Sequence, residues 1–170
     1  MKLVLMAVIC MLGIFDVVAF DSAEWLGKRE MLSREAERLQ SAYTNCVAHL
    51  SEPGEDITIP VETFPDGSVK TIVHADKAQV FLAHGLIWAQ GVTIQKMDSD
   101  GVVNAKIVAE NCVIDRFTKS GWAEGPATVT HGKTVFRGEG IYFSSPESYV
   151  MVTRGADIES KDLKFGGVAQ

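Results

Sequence analysis

An internal repeat constrains this chain more than any other feature of its sequence. Three stretches align with nearly constant offsets. The first reads Ala75-Asp76, then Ala78 and Val80, a turn, Trp88-Ala89-Gln90-Gly91 and Ile94. The second reads Ala109-Glu110, Cys112 and Ile114, a turn at Ser120-Gly121, then Trp122-Ala123-Glu124-Gly125 and Thr128. The third reads Gly138-Glu139, Ile141 and Phe143, a turn around Ser145-Pro146, then Val152-Thr153-Arg154-Gly155 and Ile158. The unit recurs every 29 to 34 residues. A unit of that size cannot bury an apolar face alone, so neighbouring copies must stack and share one core.

The texture of the unit is β. After Pro60 the chain consists of short runs rich in Val, Ile, Thr, Phe and Trp, separated by Asp66-Gly67, His84-Gly85, Asp100-Gly101, Ser120-Gly121 and His131-Gly132. These are turn signals at hairpin spacing. Within runs such as Ile72-Val73-His74-Ala75-Asp76 one set of alternate positions is apolar or small, the period of half-buried antiparallel strands. Each unit places a small residue and an acid where one strand bends, and a Gly sixteen or seventeen residues after the small residue, on the returning strand. Gly permits a bulge or corner that a Cβ opposes. Stacked V-shaped hairpins predict a folded-over antiparallel sheet, or β-jellyroll, with an apolar inner trough. The residues expected inside are Val73, Val80, Trp88, Ile94, Ile107, Ile114, Trp122, Phe136, Ile141, Phe143, Val150, Val152 and Ile158.

Ahead of the β region the period changes. Trp25, Leu32, Leu39 and Cys46, with Ala36, Tyr43 and Leu50, fall on one helical stripe among Glu, Arg, Lys, Gln and Ser. Asp21 or Ser22 is placed to cap this amphipathic helix, and Ser51-Glu52-Pro53-Gly54 stops it. Such a helix either packs on its own domain or serves a partner or a membrane-proximal spacer. The expected organisation is an N-terminal segment over residues 1–20, a helix over 21–52 and a β-domain over 55–166.

The N-terminal segment is Met1-Lys2 followed by an apolar run from Leu3 to Phe20 broken only by Asp16. It reads as an export signal with cleavage after Ala19 or, alternatively, as a membrane anchor. Cys10 belongs to that run. With the segment removed, only Cys46 and Cys112 remain. In an oxidising compartment they form a disulfide, or they stay as two buried thiols.

Several chemistries are disfavoured. A net charge of −6 argues against binding a phosphate backbone, which depends on many Lys and Arg. His49, His74, His84 and His131 lie in separate elements without metal-ligand spacing. There is no Gly-x-Ser-x-Gly elbow. Asp76, Glu110 and Glu139 sit at equivalent repeat positions, which suits capping of bends better than a catalytic pair. The residues describe a binder, scaffold or conduit, with no enzyme activity and no cofactor.

The units Ala109-Glu110-Asn111-Cys112 through Trp122-Ala123-Glu124-Gly125-Pro126-Ala127, and Gly138-Glu139-Gly140-Ile141-Tyr142-Phe143 through Gly155-Ala156-Asp157-Ile158, resemble the repeats of OstA-like lipopolysaccharide-transport proteins. The resemblance covers roughly residues 70 to 164, and the layout of an N-terminal membrane segment before one β-domain is most similar to the inner-membrane-anchored, LptC-type component. It implies a periplasmic β-jellyroll, open along one side, that accepts the acyl chains of lipopolysaccharide or a related lipid. It also implies transfer of that lipid to similar folds joined through exposed edge strands, expected near residues 70–75 or 158–164. The lining residues it implies are Val73, Val80, Trp88, Ile94, Ile114, Trp122, Phe136, Ile141, Phe143 and Val152. The rival reading is a cell-envelope structural or adaptor protein with a closed β-repeat core. In that protein the helix holds a partner and its apolar stripe stays uncovered in the isolated chain.

Overall fold

The computed structural model describes residues 22–147 and 149–160, with side chains from Leu26 onward. The apolar N-terminal run with Cys10, the cap at Asp21, the Trp25 side chain and the last expected residues of the β-domain lie outside the described residues. One helix, α1 (Ser22–Ala48), precedes seven strands: β1 (Gly54–Thr63), β2 (Val69–Phe81), β3 (Leu86–Met97), β4 (Val103–Asp115), β5 (Ser120–His131), β6 (Thr134–Ser144) and β7 (Tyr149–Ser160). The strands form one antiparallel meander in the order β1 to β7, which among the described residues leaves β1 and β7 as open edges.

The turn residues do what their chemistry requires. Asp66 Oδ1 accepts from Ser68 N at 2.9 Å, and Asp98 Oδ1 accepts from Asp100 N and Val102 N at 3.0 and 2.9 Å. Both are carboxylates mimicking a backbone turn. The β4–β5 connection is displaced from its expected place. Lys119, at φ 54°, makes the turn, whereas Ser120 and Gly121 already belong to β5. Gly121 is needed because the Phe143 ring lies where a Cβ would sit.

Every long strand is creased near its middle. Gly91, Gly125, Gly140 and Gly155 take φ of 62°, 78°, 63° and 60° along this line, and the pairing register slips beside it between Ala109 and Asn111, Ala123 and Pro126, and Arg137 and Glu139. In β5 an extra residue at the bulge keeps Ala123, Ala127 and Val129 all inward, whereas strands that cross the crease without one change the phase of their alternation. Inward positions therefore run Val73, Ala75, then Ala78 in β2, and Ile87, Ala89, then Val92, Ile94 in β3. Asp76, Glu110 and Glu139 stand on the crease and are exposed.

Small side chains flank the crease on its inner side: Ala75, Ala78, Ala89, Ala109, Cys112, Ala123 and Ala127. Larger ones, including Val73, Ile94, Val129, Phe136, Ile114 and Phe143, lie farther out. This taper lets two leaves of one sheet approach at the fold and diverge toward their ends.

Two cores result. One fills the inside of the folded sheet. The other lies on the opposite face of the second leaf, where Leu32, Ala36, Leu39, Ala42 and Cys46 of α1 pack on Trp88, Val113, Trp122, Tyr142, Tyr149 and Met151. The apolar stripe of the helix is thus covered by its own domain. Arg38 fixes the docking: its guanidinium donates to Glu35 at 2.8 and 2.7 Å and to the buried Asp115 at 2.7 Å. Asp115 in turn accepts from the amides of Phe117 and Thr118.

Two expectations, the tryptophans and the 70–75 edge, are corrected, and one left open, the cysteines, is decided. Trp88 and Trp122 face the helix and not the trough: Trp88 because the crease reverses the alternation between it and Ile94, and Trp122 because it stands an odd number of positions from the inward Ala123, Ala127 and Val129. Cys46 and Cys112 are both free and buried, on opposite faces of the sheet, so no disulfide joins them; burial pushes the Cys112 thiol up to about 12. The segment 70–75 is not an edge, since β1 pairs with it through Ile57↔Ala75 and Ile59↔Val73. The edge at β7 is described to Ser160.

Candidate functional site

The strand register lays the inner face out as rows across the sheet. On the first leaf, one row runs Val73, Ile94, Ile107, Val129, Phe136, Ile158. Ile57, Ile59 and Val61 of β1 pack against the same layer. On the second leaf, one row runs Val80, Ile87, Ile114, Gly121, Phe143, Val150. Between the diverging leaves lies a cavity of about 250 Å³, whose apolar walls include Val73, Ile94 and Ile107 from one leaf and Ile114, Phe143 and Val150 from the other.

Of the residues expected to line the trough, Val73, Ile94, Ile114 and Phe143 reach this cavity. Phe136, Ile141 and Val152 belong to the same apolar layer but stand away from the cavity. Val80 is on the inner face at its open end, 39 % exposed. Trp88 and Trp122 are excluded by their packing under α1. Trp122 Nε1 donates to Glu124 Oε2 at 2.7 Å, whereas the buried Trp88 Nε1 has no hydrogen-bond partner among the described residues.

The mouth is polar. The outermost inward row of the first leaf is Thr71, Lys96, Ala105 and His131. Beside it Glu62, only 7 % exposed, bridges the two leaves. It accepts from Thr71 Oγ1 at 2.7 Å on its own leaf and from Ser145 Oγ at 2.9 Å on the opposite one. Lys119 Nζ stands 3.3 Å away and Lys70 Nζ 3.9 Å. Burial opposes ionisation of Glu62, but hydrogen bonds from Thr71, Ser145 and Lys119, with the charge of Lys70, hold its carboxyl below the ordinary value. A buried carboxylate is tolerable only when paired and hydrogen-bonded in this way.

Sequence reasoning missed Ile57, Ile59, Val61, Ile87 and Val129 on the inner face, and Glu62 and Lys96 at the mouth. The alternation Ile57-x-Ile59-x-Val61 was a readable strand signal. Glu62 and Lys96 carry none, because their importance comes from the meeting of two leaf ends. Among the described residues no helix is long and apolar enough to cross a membrane. No protein-family model matches the chain, and no curated protein is significantly similar to it.

Proposed function

We propose that this chain is a periplasmic, non-enzymatic component of lipopolysaccharide export, holding lipid acyl chains between the leaves of its folded sheet and passing them along a bridge of similar folds. The observation that carries the reading is the allocation of apolar surface: one face of the second leaf is consumed by α1, while the inner face retains an apolar cavity of about 250 Å³ between leaves that are not sealed by further pairing. Each CH₂ shielded from water contributes about 0.8 kcal/mol, so a lipid crossing an aqueous compartment needs a dry groove of this kind. The open edges at β1 and β7 suit β-augmentation by a neighbouring copy of the fold. The adaptor alternative is weakened because the helical stripe it requires for a partner is spent on the sheet.

The test is in-cell photocrosslinking with a benzophenone side chain at Val73, Ile94 or Phe143, probing the products for lipopolysaccharide. Position Trp122, under the helix, is the control. Lipid adducts at the cavity positions and none at Trp122 support the conduit. Protein-only adducts at the cavity positions sink it and favour the adaptor.

A further inference from the structure

The mouth of the cavity holds more positive charge than its acid consumes. Lys70, Lys96 and Lys119 converge on it with one carboxylate, Glu62, which is engaged by Thr71, Ser145, Lys119 and Lys70. Lys96 is half-buried, points inward in the row Thr71–Lys96–Ala105–His131 and lines the cavity with His131 and Asn104. Among the described residues no acid lies within ion-pair distance of Lys96. An ammonium group held at the edge of an apolar cavity without a direct ion-pair partner is costly unless something anionic meets it. The local field agrees: burial, and then the charge of Lys70, depress the Lys96 pKa, with Glu62 opposing them. Burial and the charge of Lys96 depress that of His131.

The cavity also limits what accompanies the anion. At about 250 Å³ it is smaller than the roughly 300 to 1,000 Å³ of sites that enclose whole drug-sized ligands. It therefore encloses only part of a lipid's hydrocarbon and leaves the polar head at the mouth.

We infer that the trough mouth is an anion-recognising rim, in which Lys96, with Asn104 and His131, takes the phosphate or carboxylate head of an amphiphile whose hydrocarbon lies over Ile94, Ile107 and Phe143. This rests on the lipid-binding reading of the trough and specifies its substrate class. Lys96 supplies a charge-assisted contact, stronger than one to a neutral group. The expected preference over a neutral head is roughly tenfold or more.

The experiment is titration calorimetry on the full chain with lauryl phosphate, chain-matched monolaurin and inorganic phosphate, each below any micelle concentration, on wild type, Lys96→Gln and Lys96→Arg. Expected are about tenfold tighter binding of lauryl phosphate than of monolaurin, loss of that preference in Lys96→Gln with monolaurin affinity unchanged, and retention in Lys96→Arg. Equal affinities that ignore Lys96→Gln overturn the rim while leaving the trough intact. Inorganic phosphate binding as tightly as lauryl phosphate overturns it in favour of a free-anion site. Binding of neither amphiphile removes the trough and the rim together. Lys96 is half-exposed, so Lys96→Gln leaves the fold in place, which unfolding midpoints verify.

Discussion

Leu39→Ala tests whether the helix is an integral layer of the domain. Leu39 is 0 % exposed at the centre of the helix–sheet contact, among Trp88, Val113, Trp122 and Tyr142. Alanine is the best helix former, so any loss reports packing and not propensity. Comparable buried Leu→Ala changes cost about 2.7 to 5.0 kcal/mol, more where the surroundings cannot collapse. Here one wall is a hydrogen-bonded sheet and the other a helix anchored by Arg38 on Asp115 at 2.7 Å, so little collapse is available. The expected loss is about 3 to 4 kcal/mol. Against a total stability of roughly 5 to 15 kcal/mol the variant stays folded, with a midpoint lower by roughly 10 °C. Urea unfolding followed by tryptophan fluorescence is the assay, because Trp88 and Trp122 touch the same cluster. Leu26→Ala, at a site 56 % exposed, is the control and changes stability by no more than about 0.5 kcal/mol. A loss at Leu39 below about 1 kcal/mol, or one equal to that at Leu26, refutes the docked helix.

Two further outcomes follow from the crease and the mouth. Glu62 has a folded pKa lowered from 4.5, so its stabilising contribution is fully present above its unfolded value and is lost as the pH falls through the lower folded one; Glu62→Gln destabilises the protein at neutral pH and flattens this acid arm, and parallel urea midpoints at neutral and acidic pH that show the same slope for both proteins contradict the clasp. Gly91→Ala places a Cβ at φ 62° against the Asp76 carboxylate and is expected to lose about 1 to 3 kcal/mol, part of it recovered by Asp76→Ala; a neutral result in the same unfolding assay removes the argument that this corner requires glycine.

Much of the site was legible where the signal is local. Gly91, Gly125 and Gly155 mark strand corners because only their φ is free to turn positive. Asp66-Gly67 and Asp98 through Gly101 mark hairpins because their side chains bond their own backbone. The helical stripe through Leu32, Leu39 and Cys46 follows from a spacing of 3.6 residues per turn. One signal was present and underused: Leu86-Ile87-Trp88-Ala89, Cys112-Val113-Ile114 and Ile141-Tyr142-Phe143 are continuous apolar runs. Such runs belong to a leaf covered on both faces, and here the second covering layer is α1.

The repeat, the antiparallel strands, the corners and the helix ahead of them can be read along the chain, since each depends on residues within one turn or one strand of each other. Which face is which emerges only when the sheet folds. Trp88 and Ile94 are separated by an even number of residues, yet the bend at Gly91 reverses the alternation and sends Trp88 to the helix and Ile94 to the cavity. The contact from Glu62 to Ser145 joins residues 83 apart, and the unpaired position of Lys96 depends on which residues the two leaf ends bring near it. No local pattern encodes such meetings, because they exist only once the sheet has folded over on itself.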